Sequence, residues 1–258
     1  MCWNGENYEM LSALQGHNLG TSSLDCAISS TLAVSTSLDH QLKLWDTQNL
    51  LPIKTAELGP VEAWCAAISP NGQLVATGNY QGKITFWSNE LQNSEAVIET
   101  KGKFITAMKF SPNGMYLGVG SETGHVFVID VASGKLLNSF SGHGSTVRCV
   151  KFTNDSKTII SSGDNKKIHF YDAVHGNTLA MLSGHTGSVF SIDVNPTLNY
   201  LASASSDRKI RVWDLVNRQC LHVIEDHTNQ VWGVAFNEQG SKTVSVSHNG
   251  DILFHSCQ

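Results

Sequence analysis

The chain has 258 residues, of which 41% are hydrophobic, with a formal net charge of −5. That is enough apolar side chain for a sizeable core in one or two domains. No basic run argues for nucleic-acid binding through phosphate neutralisation or for an anionic membrane surface, and no stretch approaches the roughly 20 apolar residues of a membrane span.

The opening residues, MCWNGENYEM, lack the basic and apolar regions of a signal peptide. Cys2, Cys26, Cys65, Cys149, Cys220 and Cys257 are scattered without a CxxC pair. This argues for reduced thiols inside the cell rather than a disulfide framework or a zinc site.

Trp3 opens a register that runs through the whole chain. Steps of 42 from it reach Trp45, Trp87, Ile129, Tyr171, Trp213 and His255, and Asp46, Asp130, Asp172 and Asp214 follow four of these. A second marker keeps the same step: His17, His143, His185 and His227, each 28 residues before its tryptophan-like position. Gly59 and Lys101 fill the two slots without histidine. A fixed period without insertions is the mark of a repeat architecture. Repeats start near residues 16, 58, 100, 142, 184 and 226, and residues 1–15 are the tail of an incomplete one.

Within a unit the pattern is four short strands. Over 185–226, Ser188–Asn195 alternates in polarity, Pro196–Asn199 turns, Tyr200–Ser205 is a second strand, Lys209–Leu215 a third and Gln219–Ile224 a fourth. The SPNG stretches at 69–72 and 111–114 suit type I turns, with proline second and glycine fourth. Near the start, Trp3 ends a third strand and Tyr8–Leu14 is a fourth. No long helical period is present.

His, Ser or Thr, Asp and Trp recur at offsets 0, +18, +22 and +28. Two units carry the full set, His17, Ser35, Asp39, Trp45 and His185, Ser203, Asp207, Trp213; His143, Ser161, Asn165 and Tyr171 carry it in part. Serine, histidine and aspartate in one module invite a hydrolase reading. A catalytic triad, however, does not occur several times with decay along a chain. The remaining histidines show no metal-ligand spacing, and there is no phosphate-binding glycine loop, so no metal or cofactor is expected.

Four strands per 42 residues with Gly-His and Trp-Asp markers resemble the WD-repeat β-propeller family over essentially the whole chain. The resemblance implies an all-β propeller, a single domain over 1–258, with six complete four-stranded repeats and the tail of a seventh. It also implies that the His-Ser-Asp-Trp set is a structural hydrogen-bond network within each blade. The top face would carry the side chains at histidine +3, histidine +5 and the residue before the Asp position. Five of these eighteen positions are aromatic, Trp64, Tyr80, Phe104, Phe190 and Trp232, with Arg148, Glu62, Glu122 and Asp164 among the rest. Large rings with a nearby arginine are the composition of a protein-binding hot spot. The plainer reading packs some of these rings into the blade seams. On the binding reading, Trp64→Ala and Trp232→Ala both weaken partner capture with little change in melting temperature.

GPVEAW at 59–64, KGKFI at 101–105, SGHTGSV at 183–189 and DHTNQVWGV at 226–234 further resemble the WD-repeat subunits shared by the superkiller (Ski) complex and the RNA polymerase II-associated factor (Paf) complex of animals. That resemblance implies a non-catalytic scaffold found in nucleus and cytoplasm. Its partners would be a tetratricopeptide-repeat subunit and an RNA helicase in exosome-coupled mRNA decay, and Paf subunits in transcription elongation and histone modification. A WD-repeat adaptor of another intracellular complex, such as a ubiquitin ligase receptor, is the alternative. These subunits have seven blades, so the resemblance also implies a chain shortened at its N-terminus by most of one blade. Residues 8–14 then either complete the last blade of a closed six-bladed ring or keep their own place and leave a gap.

Overall fold

The structure, a computed structural model, describes residues 2–4, 9–59, 63–92, 94–100 and 103–256. Two short strands, β1 (Cys2–Trp3) and β2 (Met10–Ser12), come first. Blade one is β3 (Thr21–Cys26), β4 (Leu32–Ser37), β5 (Gln41–Asp46) and β6 (Leu51–Glu57). Blade two is β7 (Cys65–Ile68), β8 (Leu74–Gly78), β9 (Lys83–Ser88) and β10 (Ser94–Glu99). β11 (Ile105–Phe110), β12 (Tyr116–Ser121), β13 (Val126–Asp130) and β14 (Lys135–Phe140) make blade three. Blade four is β15 (Val147–Phe152), β16 (Thr158–Gly163), β17 (Ile168–Asp172) and β18 (Thr178–Leu182). β19 (Val189–Val194), β20 (Tyr200–Ser205), β21 (Ile210–Asp214) and β22 (Gln219–Ile224) make blade five, and β23 (Val231–Phe236), β24 (Lys242–Ser247) and β25 (Ile252–Ser256) make blade six. Each blade is an antiparallel meander in sequence order, a six-bladed propeller with no helix among the described residues.

The strand chemistry follows from position in the blade. Second and third strands of the interior blades lie between two neighbouring blades and are buried on both faces, so they read as runs of small and apolar residues: YLGVGS in β12, TIISSG in β16. Fourth strands form the rim and are mostly exposed, as in KLLNSF and QCLHVI. The SPNG turns close with Gly72 N–H to the Ser69 carbonyl at 2.9 Å and Gly114 N–H to the Ser111 carbonyl at 2.8 Å. Both glycines sit at φ 72°, a left-handed conformation that costs glycine nothing.

Apolar cores form in the seams between consecutive blades. There are five of them: blades one and two share Val34, Leu42 and Ile68, and the series runs on to blades five and six, which share Ala202, Ile210 and Val231. Each fully buried Val, Leu, Ile or Phe in such a seam contributes about 1.5–3 kcal/mol. First strands pack on one another from β3 to β7 and onward to β23, but no packing of that extent joins β23 back to β3. The ring therefore has one open seam.

Residues 9–14 settle beside that opening. β2 pairs with β1, Cys2 opposite Ser12 and Trp3 opposite Met10, not with β25. The two strands stand 42 residues before β5 and β6, in the places of a third and a fourth strand. Blade six accordingly has three strands among the described residues.

Candidate protein-binding face

The structural network comes first, because it holds the loops that carry the face. His185 Nδ1 lies 2.8 Å from Asp207 Oδ2, and its Nε2 lies 2.7 Å from Ser203 Oγ. Trp213 Nε1–H donates to the same hydroxyl at 2.8 Å. One tautomer satisfies every atom: Nδ1–H donates to Asp207, and Ser203 donates to Nε2 while accepting from the indole. Asp207 also accepts from the backbone N–H of Thr186 and Lys209. Burial pushes its carboxyl up, but the His185 bond and these N–H donors outweigh that and hold it well below the usual carboxylate range. His17, Ser35, Asp39 and Trp45 repeat the arrangement at 2.7–3.0 Å. The serines are buried and committed at both ends, so neither hydroxyl is presented to a substrate. The set decays around the ring. Blade four keeps His143 to Ser161 and Asn165, blade two keeps only Trp87 to Thr77, and in blade six His227 reaches Ser245 while its Nδ1 has no partner.

With the fourth-to-first loop anchored, its last residues are stitched to the second-to-third loop. Leu38 N–H donates to the Gly20 carbonyl, and Glu122 to Phe104, Asp164 to Thr146, Ser206 to Ser188 and His248 to Gln230 do the same at 2.9–3.0 Å. A bulge follows at once. The ladder between first and second strands skips one residue in five blades, and the skipped residue is Ser22, Thr106, Arg148, Phe190 or Trp232. A bulge leaves its residue unpaired and re-aims the side chain. Here it turns the histidine +5 position toward the channel. All six blades contribute to one depression of about 390 Å³, lined by Trp64, Arg148, Phe190 and Trp232 above the first strands.

The rings fall into two groups. Phe190 stacks on Trp232 with centroids 4.3 Å apart, and Trp232 Nε1–H donates to His248 Nδ1 at 3.3 Å, with 47% of Trp232 still exposed. Trp64, Tyr80 and Phe104 form the second group: Tyr80 stacks on Phe104 at 4.2 Å, and Trp64 meets both edge-on. Tyr80 is 40% exposed. Trp64, in contrast, is half-buried and packs on the core between blades two and three. The expectation that Trp64→Ala spares stability is therefore corrected; the ring is partly core, and only Tyr80 and Trp232 are predominantly surface.

Arg148 is committed to Asp164 within its own blade by two bonds, 2.9 and 2.7 Å. Burial pushes Asp164 up, and the bonds and charge of Arg148 more than reverse it. Glu122 lies beside the Phe104 N–H at 3.5 Å, and Glu62 lies outside the described residues. The face thus offers aromatic area more than free charge.

Sequence reasoning missed a ring of residues deeper in the channel. At histidine +8 the six units hold Asp25, Ala67, Lys109, Lys151, Asp193 and Ala235. Lys109 pairs with Asp25 two blades away, and Lys151 pairs with Asp193 at 2.8 Å. Burial alone would pull Lys151 down, but the Asp193 carboxylate lifts it above the usual lysine range. The two aspartates also accept from Ile68 and Phe236 N–H of the next blade. The ring is charge-balanced and ties blades together. The 42-residue step carries the signal, but only once charges at one offset are compared across all units.

The WD domain, G-beta repeat model matches residues 8–46, 176–214 and 218–256, and the Vps8 beta-propeller model matches residues 53–181. With six antiparallel blades around a channel, the chain belongs to the WD-repeat β-propeller family, whose fold is generally a non-catalytic scaffold. Among curated proteins it is 32% identical over 134 residues to WD repeat-containing protein SL1-17 of Schistosoma mansoni, 52% of this chain and 44% of that one. It is 31% identical over 131 residues to meiotic recombination protein rec14 of Schizosaccharomyces pombe, 50% and 43% of the two chains. It is 30% identical over 155 residues to WD repeat-containing protein VIP3 of Arabidopsis thaliana, 55% and 48%. The matched stretch spans less than half the length of each relative.

Proposed function

We propose that this propeller is a scaffold subunit of the superkiller and RNA polymerase II-associated factor complexes, acting in nucleus and cytoplasm, and that it captures short partner segments at the channel mouth. The observation that carries the binding reading is the stacked Phe190–Trp232 pair, aimed by the bulge and left half-exposed opposite Tyr80 and Phe104. Rigid aromatic rings around a depression supply contact area at low conformational cost. The four sequence stretches resembling the shared subunits support the assignment to these complexes, with a tetratricopeptide-repeat subunit, an RNA helicase and Paf subunits as partners. The test is affinity purification with mass spectrometry of the tagged chain, its Trp232→Ala variant and its Tyr80→Ala variant. Expected is recovery of the helicase and tetratricopeptide-repeat subunits by the parent, a loss of about tenfold in each variant, and melting temperatures within a few degrees of the parent. Recovery of a cullin adaptor instead would assign the chain to a ubiquitin ligase. Trp64→Ala is the contrasting variant, since it should lower the melting temperature as well.

A further inference from the structure

The turns between first and second strands lie on the face opposite the channel mouth, and two of them depart from the repeat. At one register position five units hold Ser30, Gly72, Gly114, Ser156 and Gly240, and blade five holds Leu198. Gly72, Gly114, Ser156 and Gly240 are left-handed there, with φ between 62° and 72°. The turn of blade five is held another way. Asn195 Oδ1 accepts from the N–H of Thr197 at 2.9 Å and of Leu198 at 2.8 Å, an Asx turn that sets a bulky side chain on the surface, 47% exposed. One residue earlier, the other units hold Ser29, Asn71, Asn113, Thr197 and Gln239, and blade four alone holds an acid, Asp155. The two exceptions meet. Both line a depression of about 330 Å³ between blades four and five, with Leu215 and Val216 beside Leu198, and Thr153 and Thr158 beside Asp155. Val216 is 69% exposed. Blades four and five are both complete four-stranded sheets, packed on each other through Ile160, Phe170, Val189 and Leu201, so this groove does not arise at the open seam.

We propose that this groove is a second docking site, for a segment of a protein partner that presents a basic side chain next to an apolar one. Charge fixes the first half of the occupant. Asp155 is the one charged residue of the lining. Thr153 Oγ1–H donates to it at 2.6 Å and the Lys157 N–H at 3.1 Å, both to Oδ1, which leaves Oδ2 open to an incoming cation. The Thr153 bond holds the carboxyl below the usual carboxylate range against the effect of burial, so it is an anion at neutral pH. Lys157 adds a charge nearby but forms no ion pair with Asp155 among the described residues. Leu198, Leu215 and Val216 fix the second half, since an exposed apolar wall gains from an apolar cover. The volume suits one or two side chains, at the small end of ligand sites. An unpaired acid beside that wall also repels acidic segments, which gives the groove selectivity as well as affinity. The site faces away from the Phe190–Trp232 pair, so a scaffold that holds one partner at the channel mouth can hold another here at the same time.

The test titrates N-acetyl-leucyl-arginine amide into the isotope-labelled whole protein and follows backbone amide chemical shifts, with N-acetyl-leucyl-glutamate amide as the control. Expected are saturable shifts at Asp155, Leu198 and Val216 with the arginine probe up to about 20 mM, and an affinity at least about threefold lower for the glutamate probe. Asp155→Asn should weaken arginine-probe binding by about three- to fivefold, and Leu198→Ser, the residue type of blades one and four, by a similar factor. Asparagine keeps an oxygen for the Thr153 and Lys157 donors and Leu198 is half-exposed, so both variants should fold, which circular dichroism checks. Trp232→Ala should leave the groove shifts unchanged, so the groove and the channel mouth hold or fail separately. No saturable shift at the three residues, equal affinity for the two probes, or binding that Asp155→Asn and Leu198→Ser leave intact overturns the proposal. Sedimentation showing a dimer that Leu198→Ser dissolves also overturns it, in favour of a second copy.

Discussion

Ser203 shows what a single hydroxyl does in this fold. It donates to His185, accepts from Trp213 and is fully buried. Ser203→Ala leaves an indole N–H and an imidazole nitrogen without partners, and each orphan costs about 1–3 kcal/mol. The expected loss is about 2–6 kcal/mol, read as a lower urea midpoint at unchanged m-value. Ser245→Ala should cost less, because its tryptophan-like partner is His255 at 3.3 Å and His227 already has an unpaired nitrogen. A larger loss at Ser245 than at Ser203 would sink this account. These networks were legible in the sequence because one offset set repeats at a fixed step. The division of labour between Trp64 and Trp232 was not. Both sit at histidine +5, and burial is decided by neighbours that no local pattern reports: Tyr80 and Phe104 close over Trp64, while Trp232 has Phe190 on one side and solvent on the other.

At the scale of the element, blade four differs from blade five at two positions of the network, and at one of them Tyr171 stands where Trp213 stands. Asn165 stands where Asp207 stands, so His143 has a neutral partner. A second histidine, His169, lies 4.2 Å from it between ring centroids. Burial lowers the affinity of both for a proton, and the His143 and Lys167 charges add to it at His169, which is pushed down to about 4. An unfolded histidine titrates near 6.5. Between about pH 6.5 and 4 the unfolded chain therefore binds more protons than the folded one. The stabilisation is complete above 6.5 and declines as the pH falls through that window. Asn165→Asp supplies the missing anion and favours the protonated rings. The melting temperature of the parent should drop from pH 7.5 to pH 5 by more than that of Asn165→Asp. Equal drops would remove blade four as the cause.

Across the whole molecule, the period gave the number of blades and their order, but the closure of the ring lay beyond it. Residues 8–14 suit a fourth strand in either of two blades, since both places have the same register. Local geometry decides between them: β1 and β2 pair with each other, which leaves blade six with one uncovered face, where Val246 is 39% exposed. Interior blades are clamped between two apolar cores, and the end blades hold only one each. Local opening follows the least packed elements. Amide hydrogen exchange should therefore be slowest in β12, β13, β16 and β17 and about tenfold or more faster in β24. The difference cannot come from place in the sheet, because β24, like β12 and β16, has a hydrogen-bonded strand on each side. It comes from the seam. Uniform exchange around all six blades would mean that the ring closes in solution.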